Sequence, residues 1–137
     1  EDQMLWVAAL SFGINSGAYV AEIVRSGIMS IDAGQNEAGR SLGLNYMQTM
    51  GYIIIPQAVK NILPALGNEL ITLLKETSVC SFIGLTDLTK GAMIVQSRTY
   101  APFMPYISLA VIYLAMVLIL SGLMSLLERR LRASDRR

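Results

Sequence analysis

Long runs of apolar residues without a single charge dominate this chain. One charge-free window covers 3–21 and another covers 99–127. A helix needs about 20 mostly apolar residues to cross a bilayer core. Over 106–127 (YISLAVIYLAMVLILSGLMSLL) apolar side chains fall on every helical face, where a surface helix would carry a stripe. The pattern predicts a transmembrane helix there. The first window, extended to 5–24 (LWVAALSFGINSGAYVAEIV), interleaves Ser11, Gly13, Asn15, Ser16 and Gly17. Small and polar residues suit a helix packed on other helices. A span is predicted over 5–24, with a buried helix of a soluble protein as the competing reading. The window 41–59 is long enough, but Asn45, Gln48, Thr49, Gly51, Pro56 and Gln57 interrupt it. A third span is predicted instead over 62–85, which carries Asn68, Glu69, Lys75 and Glu76. Charges at membrane depth are costly and normally face a protein interior or a wet cavity. That span therefore has a polar inner face.

Composition strengthens this picture. Of 137 residues, 53% are apolar and 15% charged, against about 25% charged in an ordinary soluble domain. The mean hydropathy is +0.49. A disordered or nucleic-acid-binding chain needs far more charge. There is no His, and Cys80 is the one cysteine. A His/Cys metal cluster, an intrachain disulfide and a catalytic triad with a His base are all excluded. No G-x-x-x-x-G-K-[ST] phosphate cradle occurs, so the chain carries no ATPase of that kind. No catalytic or metal-binding residue is assigned. The sequence opens on Glu1, which reads as a piece of a longer or processed chain. The acidic flank of Glu1 and Asp2 does not fit a signal peptide.

The charges that remain set an orientation. The tail 128–137 holds five arginines in ten residues. Basic residues beside a span favour the cytoplasmic side. With the tail inside, the connection 85–105 lies outside and the segment 25–60 lies inside. Pro102 and Pro105 mark an irregular entry to the last span. Glu22 and Arg25, three apart, read as an ion pair on the helix surface.

The segment 25–60 carries the most information. Asp32 is placed to cap a helix over about 33–42, with Gln35 at the capping-box position. Gly43 supplies a residue able to turn left-handed after it. Asn45 is placed to cap a second helix over about 46–54, which Pro56 then disrupts, redirecting the chain. The product is a small helix–turn–helix with one acid, Glu37, one base, Arg40, and small residues Ala33, Gly34, Ala38 and Gly39. It reads equally as a plug for a groove on a soluble partner or as a plain connection.

Glu37-Ala38-Gly39, Gly43, Ile53, Ile55 and Pro56 match in order and spacing the EAA signature (EAA, three residues, G, nine residues, I-x-L-P). On this motif the chain resembles the permease subunits of bacterial ATP-binding-cassette importers. The stretches 16–28 (SGAYVAEIVRSGI), 55–79 (IPQAVKNILPALGNELITLLKETSV) and 97–103 (SRTYAPF) look like the polar amino-acid branch of that family. Gly39 stands where a second Ala is usual, and Ile55 where Leu is usual. The resemblance implies an all-α integral membrane fold in one transmembrane permease domain over 1–137, with three spans of the usual five. It implies a coupling helix in the segment 28–57, docked on an ATPase subunit through Glu37, Ala38, Gly39, Arg40, Gly43 and Pro56. ATP and Mg would sit on that ATPase, with no cofactor on this chain. The further partners implied are a second permease subunit, like or unlike, an extracytoplasmic solute-binding protein, the lipid bilayer and an amino-acid substrate, with no nucleic acid. The implied location is the bacterial plasma (inner) membrane, multi-pass, with the C-terminal tail cytoplasmic.

The third span carries the candidate substrate residues. Glu69 and Glu76 are seven apart, which at about 100° per residue brings them close to one helical face. Thr72 lies between them, and Asn68 and Lys75 form an adjacent stripe. Asn68, Glu69, Thr72 and Glu76 offer donors and acceptors suited to an amino-acid zwitterion. Two acids against one base on this helix point toward a basic cargo. The alternatives are that Lys75 neutralises one of the acids, or that Glu76 and Lys75 sit at the outer interface. Two other classes stay open for the whole: an ion-coupled secondary transporter using Glu69 or Glu76, and a non-transporting membrane scaffold.

Overall fold

The computed structural model describes residues 2–133, and every regular element among them is helical. Helix α1 runs Asp2–Met29, α2 Ala33–Ser41 and α3 Tyr46–Thr49. A π-helical turn, Met50–Ile54, leads into α4, Ile55–Glu76, which tightens into a 3-10 segment, Thr77–Ile83. Helices α5, Leu88–Thr99, and α6, Met104–Ala133, complete the chain. The all-α expectation holds. Among the described residues two helices, α1 and α6, are by themselves long and apolar enough to cross a membrane. A third crossing is reached only by taking Tyr46–Ile83 with Leu88–Thr99, a pair bent by 48°.

The chain packs as two units through which α1, α4 and α6 all pass. One unit gathers α1 as far as Ser16 with Leu70–Leu123. It holds the start of α1, the end of α4, the 3-10 segment, α5 and the start of α6. Ala8, Ile71 and Leu85 are its buried apolar residues. Tyr106 donates its hydroxyl hydrogen to Gln96 Oε1 at 2.8 Å, and the Thr89 and Tyr113 hydroxyls lie 3.4 Å apart, so polar contacts tie α5 to α6.

The other unit gathers Gly17–Glu69 with α6 from Met124. The end of α1 meets α4 closely at Gly27, where any Cβ would run into the Ile62 side chain. Asn61 Nδ2 donates to Ser30 Oγ at 2.9 Å beside this crossing. Further along, a Cβ on Gly67 would occupy the place of the Met124 side chain of α6. Small residues thus set the helix spacing in this unit.

Three local outcomes differ from the sequence expectation. Pro56 does not end the helical run, which passes from the π-helical turn into α4 with Pro56 as its second residue. The π-helical turn just before it closes with Ile55 N–H bonded to Met50 O, five residues back. This wider turn gives the Pro56 ring room that the carbonyl four residues back would fill in an α-helix. The span expected to reach residue 85 stops being α-helical at Glu76. The Thr77 hydroxyl donates to Leu74 O and the Ser81 hydroxyl to Ser78 O, both at 2.9 Å, and these three-residue back-bonds accompany the change to 3-10 geometry. Gly84, at φ 89°, ends it. Finally, the connection 85–105 holds α5, capped by Asp87, whose Oδ1 accepts from Lys90 N at 2.7 Å.

The tail expected from residue 128 continues as helix to Ala133, with Glu128 and Arg132 paired at 2.6 Å. Residues 134–137 of that tail, and Glu1, lie outside the described residues. The Glu22–Arg25 pair forms as expected, with Arg25 Nε donating to Glu22 Oε2 at 3.0 Å.

Candidate functional site

The helix–turn–helix expected around Glu37 exists, and its ends are closed by hydrogen bonds. Asp32 caps α2, its Oδ1 accepting from Gly34 N at 3.0 Å. The capping box expected there does not form, since Gln35 Oε1 accepts instead from Gln57 Nε2 of α4 at 3.3 Å. The box appears one helix later. Gln48 N donates to Asn45 Oδ1 at 2.9 Å, and Asn45 N donates to Gln48 Oε1 at 3.0 Å. Between the two helices Gly43 adopts φ 80°. Leu44 N bonds to Gly39 O at 3.1 Å and Gly43 N to Arg40 O at 2.9 Å, the pair of bonds that defines a Schellman stop. Nothing lies within 4 Å of a Cβ built on Gly43. Glycine is required there for its backbone angle and not for space.

The candidate docking residues separate into two groups. Glu37, Ala38, Arg40 and Gly43 are exposed. Gly39 is the one buried residue of α2 and faces inward onto Thr49. Pro56 is exposed but sits beyond the π-helical turn, away from α2 in the chain. The structure adds apolar neighbours to the exposed group: Leu42 is 77% exposed and Met47 76%. Sequence reasoning passed over both. The available signal was their position, at the cap of α2 and in the first turn of α3, outside the pattern of small residues that packs the hairpin. A surface with one acid, one base and apolar anchors beside them has the make-up of a protein interface.

On α4, Asn68 and Lys75 are exposed, while Glu69, Thr72 and Glu76 are half-buried. Asn68, Glu69 and Thr72 each have an interaction partner. Asn68 and Glu69 belong to the unit that holds α2, and Thr72 and Glu76 to the unit that holds α5. Along the single helix Ile55–Glu76, Glu69, Thr72 and Glu76 follow at steps of three and four, so they share a face.

A residue that the sequence reading did not single out is Asp87. It borders a cleft of about 550 Å³ in its unit, together with Leu5 and Phe12 of α1 and Thr77 and Cys80 of the 3-10 segment. Asp87 Oδ2 is buried and has no hydrogen-bond partner among the described residues. Such an oxygen costs about 1–3 kcal/mol when left alone, in a cleft whose lining also holds Asp2, Thr77 and Thr86 among apolar residues. The signal in the sequence was an acid three residues before Lys90 at a helix start. Among the described residues no group of three His, Cys, Asp or Glu comes together to hold a metal.

The family model described as binding-protein-dependent transport system inner membrane component matches residues 2–133. The chain belongs to that family. Among relatives of this inner membrane component, the arginine transport system permease protein ArtQ of Bacillus subtilis is 44% identical over 130 residues, covering 95% of this chain and 59% of ArtQ. The glutamine transport system permease protein GlnP of Escherichia coli is 39% identical over 125 residues, covering 91% of this chain and 57% of GlnP. The chain therefore spans somewhat more than half the length of the curated relatives it matches. A crystal structure described as an amino acid ABC transporter with histidines superposes with a TM-score of 0.83 at 61% identity, over 85% of this chain and 55% of that one. The helical fold is that of an amino acid ABC transporter chain.

Proposed function

We propose that the whole permease containing this chain moves polar amino acids across the bacterial inner membrane by alternating access. It does so as the translocating subunit of an ATP-binding-cassette importer. ATP and Mg are held and turned over on separate ATPase subunits. A second permease subunit completes the pathway, and an extracytoplasmic binding protein delivers the substrate. The C-terminal tail is cytoplasmic, on the same side as α2.

The observation that carries this reading is the exposed face of α2. Glu37, Ala38 and Arg40 are presented on a helix whose two ends are closed by Asp32 and Gly43. A capped, exposed helix suits a docking element, and a plain connection needs no such caps. Leu42 and Met47 beside it add apolar contact. The names of the relatives, a glutamine and an arginine permease, support a polar amino acid as cargo. The acids Glu69 and Glu76, with Asn68 and Thr72, favour a basic one, held through charge-assisted hydrogen bonds.

The test is reconstitution of the whole permease with its ATPase and binding protein in liposomes. Glu37→Lys reverses the charge at the docking face and is expected to lower substrate flux at least about tenfold, as losing one partner of an interfacial charge pair does. ATP hydrolysis by the ATPase itself should persist. Normal coupled flux in this variant would refute the docking assignment.

A further inference from the structure

We propose that the cleft between the start of α4 and the end of α6 binds the headgroup of an anionic phospholipid, with Lys60 and Arg132 holding its phosphate. This inference rests on α6 crossing a bilayer and is independent of the transport reading.

The cleft lies within one packing unit. Its volume is about 210 Å³, and it is lined by Lys60, Asn61 and Pro64 of α4 and by Glu128, Leu131 and Arg132 of α6. Cavities that take a drug-sized molecule run to about 300–1,000 Å³. This one has room for a headgroup and none for a helix of another protein. Its depth follows from α6. The apolar run 106–127 measures about 33 Å at about 1.5 Å per residue, and a hydrocarbon core is about 30 Å thick. Glu128 comes next and is the first residue to reach headgroup level. Lys60 reaches that level from α4, since it lines the same cleft.

The charges there favour an anion. Arg129, Arg130 and Arg132 are exposed and Lys60 is half-buried. Among the described residues that line the cleft Glu128 is the one acid, and it pairs with Arg132 at 2.6 Å. A guanidinium has five N–H donors, so one carboxylate leaves Arg132 donors for a phosphate. The Arg132 side chain is still 79% exposed. The Lys60 stem can lie along the helix while its ammonium reaches the same phosphate. The cleft also offers acceptors. Asn61 gives its Nδ2 to Ser30 and keeps a carbonyl oxygen, and Glu128 adds its carboxylate. Phosphatidylglycerol matches both halves of this lining, with one anion for the bases and hydroxyls for the acceptors. The two bases come from different helices, so a phosphate between them ties α4 to α6. Arg129 and Arg130 lie outside the cleft lining and supply only a general attraction. An acidic protein surface would meet those two first.

The experiment uses the whole permease in its assembled transporter, in phosphatidylcholine vesicles. A fluorophore is placed on Ala133→Cys in a background without other cysteines. Quenching is compared for phosphatidylglycerol and phosphatidylcholine that carry a nitroxide high on one acyl chain. The unmodified protein is expected to favour phosphatidylglycerol about fivefold or more, the ratio that one base near a membrane surface supports. Lys60→Gln/Arg132→Gln should bring that ratio close to unity. Arg129→Gln/Arg130→Gln, which loses the same charge, should keep at least about half of it. The proposal is overturned if the unmodified protein shows no preference, or if the two double variants lose it equally, as a diffuse basic belt would. It is also overturned if inorganic phosphate, at ionic strength matched with chloride, displaces the lipid, since a soluble anion would then be the ligand. Release of the ATPase subunit by Lys60→Gln/Arg132→Gln with the lipid preference intact would make an acidic protein the occupant and equally overturn it. Should that variant fail to accumulate, Lys60→Gln against Arg130→Gln decides in the same way. Neither ATP nor substrate is present, so absence of ATP-driven flux would sink the transport reading alone.

Discussion

Helix α2 and helix α6 each bury a single residue, Gly39 in one and Pro105 in the other. They reach that state by opposite routes. Helix α2 has nine residues, is polar, and is closed at both ends by side chains and turn bonds. Helices this short are marginal in water without such help. Helix α6 has thirty residues and an apolar surface all round, with none of its most apolar stretch buried by the rest of the chain. Its backbone bonds are satisfied within the helix, and what remains open is the medium around its side chains. A long apolar helix needs lipid or other helices. The difference separates a part shaped by its own contacts from a part shaped by its surroundings.

The largest test of that contrast places a charge in α6. Leu118 is 62% exposed near the middle of the helix. Leu118→Arg should raise the insertion free energy of this segment by about 3 kcal/mol, measured with the segment in a membrane-insertion assay. A change below about 1 kcal/mol, far under the usual penalty for a central charge, would mean that the position is not at membrane depth. In that case α6 would owe its form to something other than an apolar medium.

A second test uses one substitution at two places. Gly43→Ala forces a side chain into the left-handed region at φ 80° and should cost about 1–2 kcal/mol. The expected readout is faster amide exchange at Leu44, whose N–H closes the turn onto Gly39 O. Gly122→Ala, inside α6 with open space around it, should instead slow local exchange, because alanine stabilises a helix interior by about 0.5–1 kcal/mol. Equal responses at the two glycines would erase the distinction between a helix held by its turn and a helix held by its medium.

The two regions were also unequally legible before the structure was known. The spans α1 and α6 follow from charge-free length together with apolar content, since no finer local detail is needed to expose a backbone-satisfied helix to an apolar medium. In the hairpin, Asp32, Gly43 and Asn45 were readable because caps depend on short-range geometry. What escaped was everything set by register and packing. Pro56 reads as a breaker, and only the π-helical turn before it lets the helix continue. The 3-10 segment depends on Thr77 and Ser81 folding back on their own chain, which competes with α-helix by a small margin. Helix α5 lies in a connection whose mixed composition carries no strong period. Of the candidate site, the exposed Glu37–Arg40 face was visible from the motif. The inward turn of Gly39 onto Thr49 was not, because a run of small residues does not say which one is covered. Asp87 was overlooked because a lone acid gains meaning only from the cleft beside it.

The smallest test concerns the end of α6, where the two routes meet. Glu128 and Arg132 pair at 2.6 Å with side chains 40% and 79% exposed, one helical turn apart. If the medium shapes α6, this pair is a minor addition to its last turn. Glu128→Gln should then cost about 0.3–0.5 kcal/mol, the usual worth of such an exposed helix pair. The expected readout is a small rise in amide exchange over 129–133, and the rise should shrink in high salt as the pair is screened. A cost well above 1 kcal/mol, beyond the ordinary range for exposed pairs, would show the end of α6 to be held by its side chains in the manner of α2. The boundary between the two ways of making a helix would then fall within α6 itself.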